Sequence, residues 1–236
     1  MTKRHLKRIN MPWFWQVERK TKKFIARPAS GPHKLYSCIS IDLLIREFLK
    51  YAKINKEVRH ILNNKKILVD KKAVLENNFP VGLMDIIDVV DLGMHYMISL
   101  DTNGKFRLLK ITKEDANHKF CKIINKTMLK KNKLQLNLDD GQNIIIEKDE
   151  YKVGDTVVID LNSKKIKKHL KLESNAPVLL TAGKHIGMTG HVEKINSYKG
   201  MRKSTIIFKG KDESFETLKE YCFVIDKGMQ AKYEND

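Results

Sequence analysis

The 236-residue chain has only three cysteines, Cys38, Cys121 and Cys222, far apart and never in a Cys-x-x-Cys pair. This argues against a disulfide framework and a structural zinc site, and it fits a reducing, cytosolic compartment. Long apolar runs are also missing. Apolar residues make up 42% of the sequence but are interrupted everywhere by charge, so no stretch approaches the ~18 consecutive apolar residues that a membrane-spanning helix needs. No continuous apolar stretch of the kind a secretory signal needs follows the basic start Met1–Arg8, which speaks against such a signal. Acidic residues are in short supply: 28 Asp and Glu stand against 46 Lys and Arg, a net charge of +18. So large a charge repels itself in a compact fold unless a polyanion neutralises it, which makes nucleic acid the leading partner and an anionic membrane surface the second. Arginine is scarce too, 8 residues against 38 lysines. Lysine is a flexible point charge suited to phosphates, whereas bidentate reading of base edges favours arginine. The balance points to recognition of backbone and shape, the usual situation for folded RNA.

The excess charge is concentrated. Residues 1–40 carry ten Lys or Arg and one acid, against net +1 for 41–98, +6 for 99–173 and +2 for 174–236. The same first segment holds Pro12, Pro28 and Pro32, the turn cluster Ser30-Gly31-Pro32, and both tryptophans, Trp13 and Trp15. Prolines forbid a continuous helix, so 1–40 reads as an extended basic arm. A disordered tail would be poor in aromatics, and the Trp13-Phe14-Trp15 rings suit stacking on bases or docking on the protein's own body. The arm has no amphipathic helix to lie on a bilayer, so the membrane alternative recedes.

From Ser40 the texture changes. Ile41, Leu44, Ile45, Phe48, Leu49 and Ala52 fall at helical spacing with Ser40 as cap, and a shorter helix after Asn55 turns Val58, Ile61 and Leu62 inward and Lys56, Arg59 and His60 outward. Strands are predicted at Lys66–Val69 and in the run ending at Val90, joined through a turn at Asp70-Lys71-Lys72. Beyond Gly93 the pattern is almost all β: Asn103-Gly104 is a hairpin dipeptide, and strands are predicted at Cys121–Asn125, Leu134–Leu138, Asn143–Ile146 and Thr156–Leu161. A further module near Pro177 contains Gly183, Gly187 and Gly190 followed by four short strands. The expected class is α+β and multi-module: arm 1–40, helix-turn-helix plus small sheet 41–95, central β domain 96–173, and a glycine-marked β-barrel 174–236.

Enzymatic chemistry is not visible. His185-Ile186-Gly187-Met188 with Met201–Thr205 half resembles the two ATP signatures of class I aminoacyl-tRNA synthetases, but Met replaces the required His and the gap is too short for the catalytic fold. The glycine trio lacks the Gly-Lys-Ser/Thr of a phosphate loop and the spacing of a dinucleotide fingerprint. The eight histidines form no ligand pair, and Asp85 and Asp88 lie three apart in a β-like run, hence on opposite faces. No catalytic residue, metal, cofactor or small-molecule substrate is expected.

The order of local words carries a resemblance. His5-Leu-Lys-Arg8-Ile-Asn-Met-Pro12 and Arg27-Pro28-Ala-Ser30-Gly31-Pro32-His33-Lys34-Leu35 come first, then Asp70-Lys-Lys-Ala-Val74 and Phe79-Pro80-Val-Gly82-Leu-Met84-Asp85-Ile-Ile-Asp88. Asp101-Thr-Asn-Gly104-Lys-Phe106, Val153-Gly154-Asp155-Thr156 and Ala182-Gly183 ahead of Gly187-Met-Thr-Gly190-His-Val192 follow. This ordered set resembles the S-four-e family of archaeal and eukaryotic small-subunit ribosomal proteins, departing from it in Trp13-Phe14-Trp15 and in Ala182, where a second glycine is frequent. The resemblance implies an alpha-L RNA-binding domain, a central β domain and a KOW SH3-like barrel behind the arm. It also implies a structural constituent of the small ribosomal subunit, bound to its rRNA and to neighbouring ribosomal proteins in the cytoplasmic ribosome. A KOW-bearing assembly or transcription factor that visits RNA transiently is the alternative. An RNA-modifying or tRNA-charging enzyme would need a catalytic domain with a nucleophilic Asp or an ATP site, and the strand-rich remainder offers neither.

The expected RNA-facing residues are Lys3, Arg4, His5, Lys7, Arg8, Arg19, Lys20, Lys22, Lys23, Arg27, His33 and Lys34 of the arm, with Trp13 or Trp15 packing on a base or sugar. Lys50, Lys53, Lys56, Arg59, Lys65 and Lys66 follow around the helix-turn-helix; the resemblance places Lys56 and Arg59 where relatives put RNA-facing side chains. Lys184 and Gly187 belong to a loop through Gly190 where absent side chains let backbone approach RNA.

Overall fold

A computed structural model describes residues 5–130, 133–147, 149–198, 202–210 and 214–235. The fold is mostly β with few helices and divides into two compact units, residues 1–99 with 105–119 and residues 100–104 with 120–236. In chain order the first unit contains β1 (Leu6–Lys7), β2 (Phe24–Ile25), β3 (Cys38–Ser40), α1 (Ile41–Leu43), α2 (Asn55–Asn63), β4 (Ile67–Val69), β5 (Lys72–Ala73), β6 (Pro80–Gly82), β7 (Ile86–Val89), β8 (Met94–Leu100) and β9 (Phe106–Ile111). Antiparallel pairs β1–β2 and β3–β6 flank a five-stranded sheet of order β5-β4-β7-β8-β9.

The long first helix expected after Ser40 is broken up. Only Ile41–Leu43 are α-helical, and Leu44–Phe48 continue as a π-helical turn in which Leu49 N donates to Leu44 O. Ser40 makes no side-chain cap, because the amides of Ile41 and Asp42 already donate to Phe79 O and Asn77 O. Tertiary backbone partners have taken the place of local capping. α2 forms where expected, and the Glu57 carboxylate accepts the N–H groups of Lys53 and Ile54, which hold its pKa below the usual range. The Asp70-Lys71 turn has both residues at positive φ, the conformation that suits a two-residue hairpin between β4 and β5.

Residues 5–40 are not extended throughout: two short strands alternate with turns and with 3-10 helices at Arg8–Asn10 and Leu35–Ser37, and the segment packs within this unit. Met11, Phe14, Trp15 and Ile25 are buried. The Phe14 ring meets Phe106 edge-on at 4.9 Å, and Phe106 N donates to Phe14 O. Under this layer lies a buried ionic network. His33 Nε2 and Gly82 N contact Asp85 Oδ2 at 2.9 and 2.8 Å, while Lys119 Nζ bridges Asp85 and Asp70 at 2.6 Å each. Gly82 is required here, since a Cβ would sit 2.5 Å from the His33 ring.

The second unit contains β10 (His118–Met128), β11 (Leu134–Leu138), β12 (Asn143–Ile146), β13 (Thr156–Asp160), β14 (Ile166–Leu170), β15 (Pro177–Leu180), β16 (Thr189–Asn196), β17 (Thr205–Lys209), β18 (Ser214–Leu218), β19 (Cys222–Val224) and α3 (Lys227–Asn235). β10 begins in the first unit and continues into the second. The strands form two sheets, ordered β12-β11-β10-β13-β14 and β18-β17-β16-β15-β19. Period-2 alternation turns Leu136, Leu138, Val157 and Ile159 into one core and Val178, Leu180, Val192, Ile206 and Phe208 into another. Lys122 joins the two sheets by donating to the carbonyls of Glu220 and Cys222, and burial lowers its pKa. Asp155 ties the segments around β13 and β14 together. Its carboxylate accepts Lys152 N and Leu172 N and pairs with His169 at 2.7 Å, beside Gly154 at φ +100°. Strand β14 and helix α3 were not anticipated: Ile166-Lys-Lys-His-Leu170 and the C-terminal segment have weak apolar patterns.

Burial alone would raise the Asp85 carboxyl, but Lys119, His33 and the Gly82 N–H outweigh it and hold it at about 2, whereas burial and the Asp85 charge push Asp70 up to about 6. The Asp85 contribution to stability is therefore complete above the unfolded carboxylate pKa of ~3.9 and is lost as pH falls through about 2. Asp70 acts with the opposite sign, removing stability as pH rises between about 4 and about 6. Urea unfolding should show stability rising by about 2 kcal/mol from pH 2 to 4 through Asp85. Asp85→Asn should flatten that rise, and an unchanged profile would contradict the network.

Candidate nucleic-acid interface

The arm cations separate by environment. Lys7, Arg19, Lys20, Lys22, Lys23 and Lys34 are exposed, Arg27 is half-buried, and Lys3 and Arg4 lie outside the described residues. The β1–β2 pairing sets Lys7 opposite Phe24 and next to Lys23, whose carbonyl accepts Arg8 N. Phe24 is an exposed ring with His5 at 5.6 Å and the Lys23 ammonium 5.6 Å from its centroid. Tyr36, beside Lys34, is 80% exposed. Neither ring is among the residues expected from the sequence, although Lys22-Lys23-Phe24 and Lys34-Leu35-Tyr36 carry the signal of aromatics interleaved with cations.

Four expected contact residues are corrected. Trp15 is 2% exposed and its indole N–H donates to Cys38 O at 2.9 Å, so the ring is core and cannot stack on a base. Trp13 is 56% exposed and keeps a free face. Arg8 is buried: its guanidinium donates to Glu18 O and Thr21 Oγ1 and approaches Glu47 at 3.5 Å, closing the arm on itself. His33 is committed to Asp85. Gly187 is buried at φ +83°, and a Cβ there would lie 2.0 Å from Asp101 O. That glycine admits the protein's own backbone in the place reserved for RNA.

The remaining expected residues are solvent-facing. Lys53, Lys56 and Arg59 lie at and along the exposed side of α2, with Val58 and Leu62 buried on the other. Lys50 and Lys65 are exposed at positive φ, where the chain leaves each helical segment. Lys66 is partly neutralised by Asp91 at 2.6 Å. Lys184 is exposed in the second unit.

Other chemistry is already occupied. The thiols are buried, and burial pushes Cys38 up to about 12 and Cys222 up to about 11, which makes them poor nucleophiles. Cys121, Asp139 and Asp140 bring ligand atoms within 4.8 Å of one another. However, Asp140 accepts from Gln142 and Cys121, and Asp139 accepts Lys122 N, so the group closes a β-turn.

Relatives decide the family. Residues 92–166 match the model described as Ribosomal family S4e, and residues 2–36 match the RS4NT (NUC023) domain. Small ribosomal subunit protein eS4 of Methanothermobacter thermautotrophicus is 36% identical over 227 residues, covering 96% of this chain and 93% of that protein. The chain belongs to the S4e family. The eS4 of Methanocaldococcus jannaschii is 37% identical with 94% of each chain covered. The crystal structure of 30S ribosomal protein S4e from Thermoplasma acidophilum superimposes with TM-score 0.71 at 31% identity, over 82% of this chain and 97% of that one. The expectation drawn from the order of sequence words is met at the level of family.

The two tryptophans should behave differently on substitution. Trp15→Ala should cost about 3–5 kcal/mol by urea unfolding, as for a large core side chain, whereas Trp13→Ala should stay within about 0.5 kcal/mol. Equal losses would contradict the assignment of one ring to the core and one to the surface.

Proposed function

We propose that this S4e-family chain is a structural constituent of the small ribosomal subunit that binds and stabilises its rRNA through phosphate and shape contacts, working in the cytoplasmic ribosome beside neighbouring ribosomal proteins. The carrying observation is an exposed cationic arm on a held scaffold: Lys7, Arg19, Lys20, Lys22, Lys23 and Lys34 face solvent while Arg8, Trp15 and His33 fasten the segment between them. A scaffold formed before binding loses less entropy when RNA orders it. Trp13, with Phe24 and Tyr36, offers flat surfaces to bases or sugars.

In this reading residues 41–95 act as an alpha-L module that presents Lys50, Lys53, Lys56, Arg59 and Lys65. Residues 96–173 form the central β domain, and 174–236 a KOW barrel with Lys184 at its loop. The rival, a transient KOW-bearing factor, differs in residence on the particle. Stoichiometric retention in salt-washed small subunits on sedimentation is the expected result, and release to the top fractions would support the factor.

The arm cations should report as salt dependence. Each phosphate neutralised contributes roughly 0.7–0.9 to the slope of log affinity against log salt. Replacing Lys20, Lys22 and Lys23 by Gln should therefore lower the slope for small-subunit rRNA by about 2 in a filter-binding series. An unchanged slope would place the arm away from RNA.

A further inference from the structure

The outer face of the first sheet of the second unit carries an array that only the strand register exposes. Asn125 stands opposite Asn137, and Asn137 opposite Asn143, so three asparagines form one row across β10, β11 and β12. Thr127, Gln135 and Ile145 form the next row. Leu134, Leu136, Leu138, Ile144 and Ile146, the alternate positions of β11 and β12, pack on the core, which leaves these two rows outside. None of the six residues is charged, in a chain where 31% of residues are.

Part of the array is fixed internally. Gln135 Nε2 donates to Asn137 Oδ1 at 2.8 Å, Asn137 Nδ2 to Thr127 Oγ1 at 3.3 Å, and Asn125 Oδ1 accepts Lys126 N at 2.8 Å. The side-chain amide N–H groups of Asn125 and the whole side-chain amide of Asn143 have no hydrogen-bond partner among the described residues, and both residues are exposed. Lys133 and Glu147 stand beyond the Thr127 row, with Lys130 in the connection between β10 and β11.

We propose that this array takes the sugar edge of an RNA segment, its 2′-hydroxyls and minor-groove base edges, a proposal that rests on the rRNA-binding reading above. The 2′-hydroxyl both donates and accepts, as an amide does, and the wide minor groove of an RNA helix presents a shallow surface that a sheet face can meet. No aromatic side chain stands in these rows, so splayed, stacked bases are not the ligand. The aromatic, Met or Arg anchor of a protein interface is missing from them too. Lys130 and Lys133 supply phosphate contacts at one border only. Recognition over the array itself is therefore uncharged.

The test is the full-length chain with Asn125→Ala and Asn143→Ala together, titrated against small-subunit rRNA at several salt concentrations, with thermal melting as the check on folding. Each lost hydrogen bond is worth a few-fold in affinity, so binding should weaken roughly tenfold at every salt while the salt slope stays unchanged. Asn143→Ala alone, on an edge strand where the side chain holds nothing, should weaken it about threefold. Unaltered affinity, the result if the array meets a protein instead, would overturn the proposal. So would a loss accompanied by a shallower slope, which marks a phosphate contact. Failure of the unsubstituted chain to bind rRNA would overturn the rRNA reading itself and this proposal with it.

Discussion

One buried carboxylate organises the first unit. Asp85 receives His33 from the arm, the Gly82 amide from β6 and Lys119 from the start of β10, and Lys119 carries the link on to Asp70 at the β4–β5 turn. His33 and Lys119 are remote from Asp85 in sequence, and neither can leave without stranding a charge away from water. Such a network is weak evidence for net stability, because desolvation offsets much of the Coulombic gain. What it fixes is geometry: in the fold every one of these partners is met at 2.6–2.9 Å. Gly82 is part of the same constraint: any side chain there would displace the His33 ring.

The arm inherits its order from that anchor. Trp15 bonded to Cys38 O and Phe14 against Phe106 hold its first half, and Ala29 N donating to Asn78 O with His33 on Asp85 holds its second. A segment with no regular helix and two-residue strands is thereby fixed with its lysines outward. The +18 thus divides into two populations. Arg8, Lys119 and Lys122 are structural cations spent on backbone carbonyls and buried acids, whereas the exposed lysines of the arm and of α2 remain for a polyanion.

Much of this was legible in the sequence where local rules govern. Asn103-Gly104 turned where a positive φ was needed, α2 buried Val58 and Leu62, and β11 alternated Leu134, Leu136 and Leu138 toward the core. The failures share a cause. The helix after Ser40 is α-helical only over Ile41–Leu43 before a π-helical turn, and its first amides meet Phe79 O and Asn77 O, partners that sequence spacing does not show. Arg8, Trp15 and His33 looked like RNA contacts because composition cannot distinguish an exposed cation or ring from one whose partner lies tens of residues away. Gly187 reads in the sequence as an opening for RNA, but the Asp101 carbonyl lies against it in the fold. The asparagine row was invisible because its three members align only once register is known.

The central claim is that the arm is ordered on its own unit before any RNA is present. Native-state amide hydrogen exchange on the free, full-length protein tests it most directly. The amides of Arg8, Ala29 and Phe106, which donate to Lys23, Asn78 and Phe14, should exchange as slowly as those of Met84 and Ile98 within the body of the unit. Exchange of Arg8 and Ala29 at the rate of an unstructured peptide, slowing only when rRNA is added, would contradict the account.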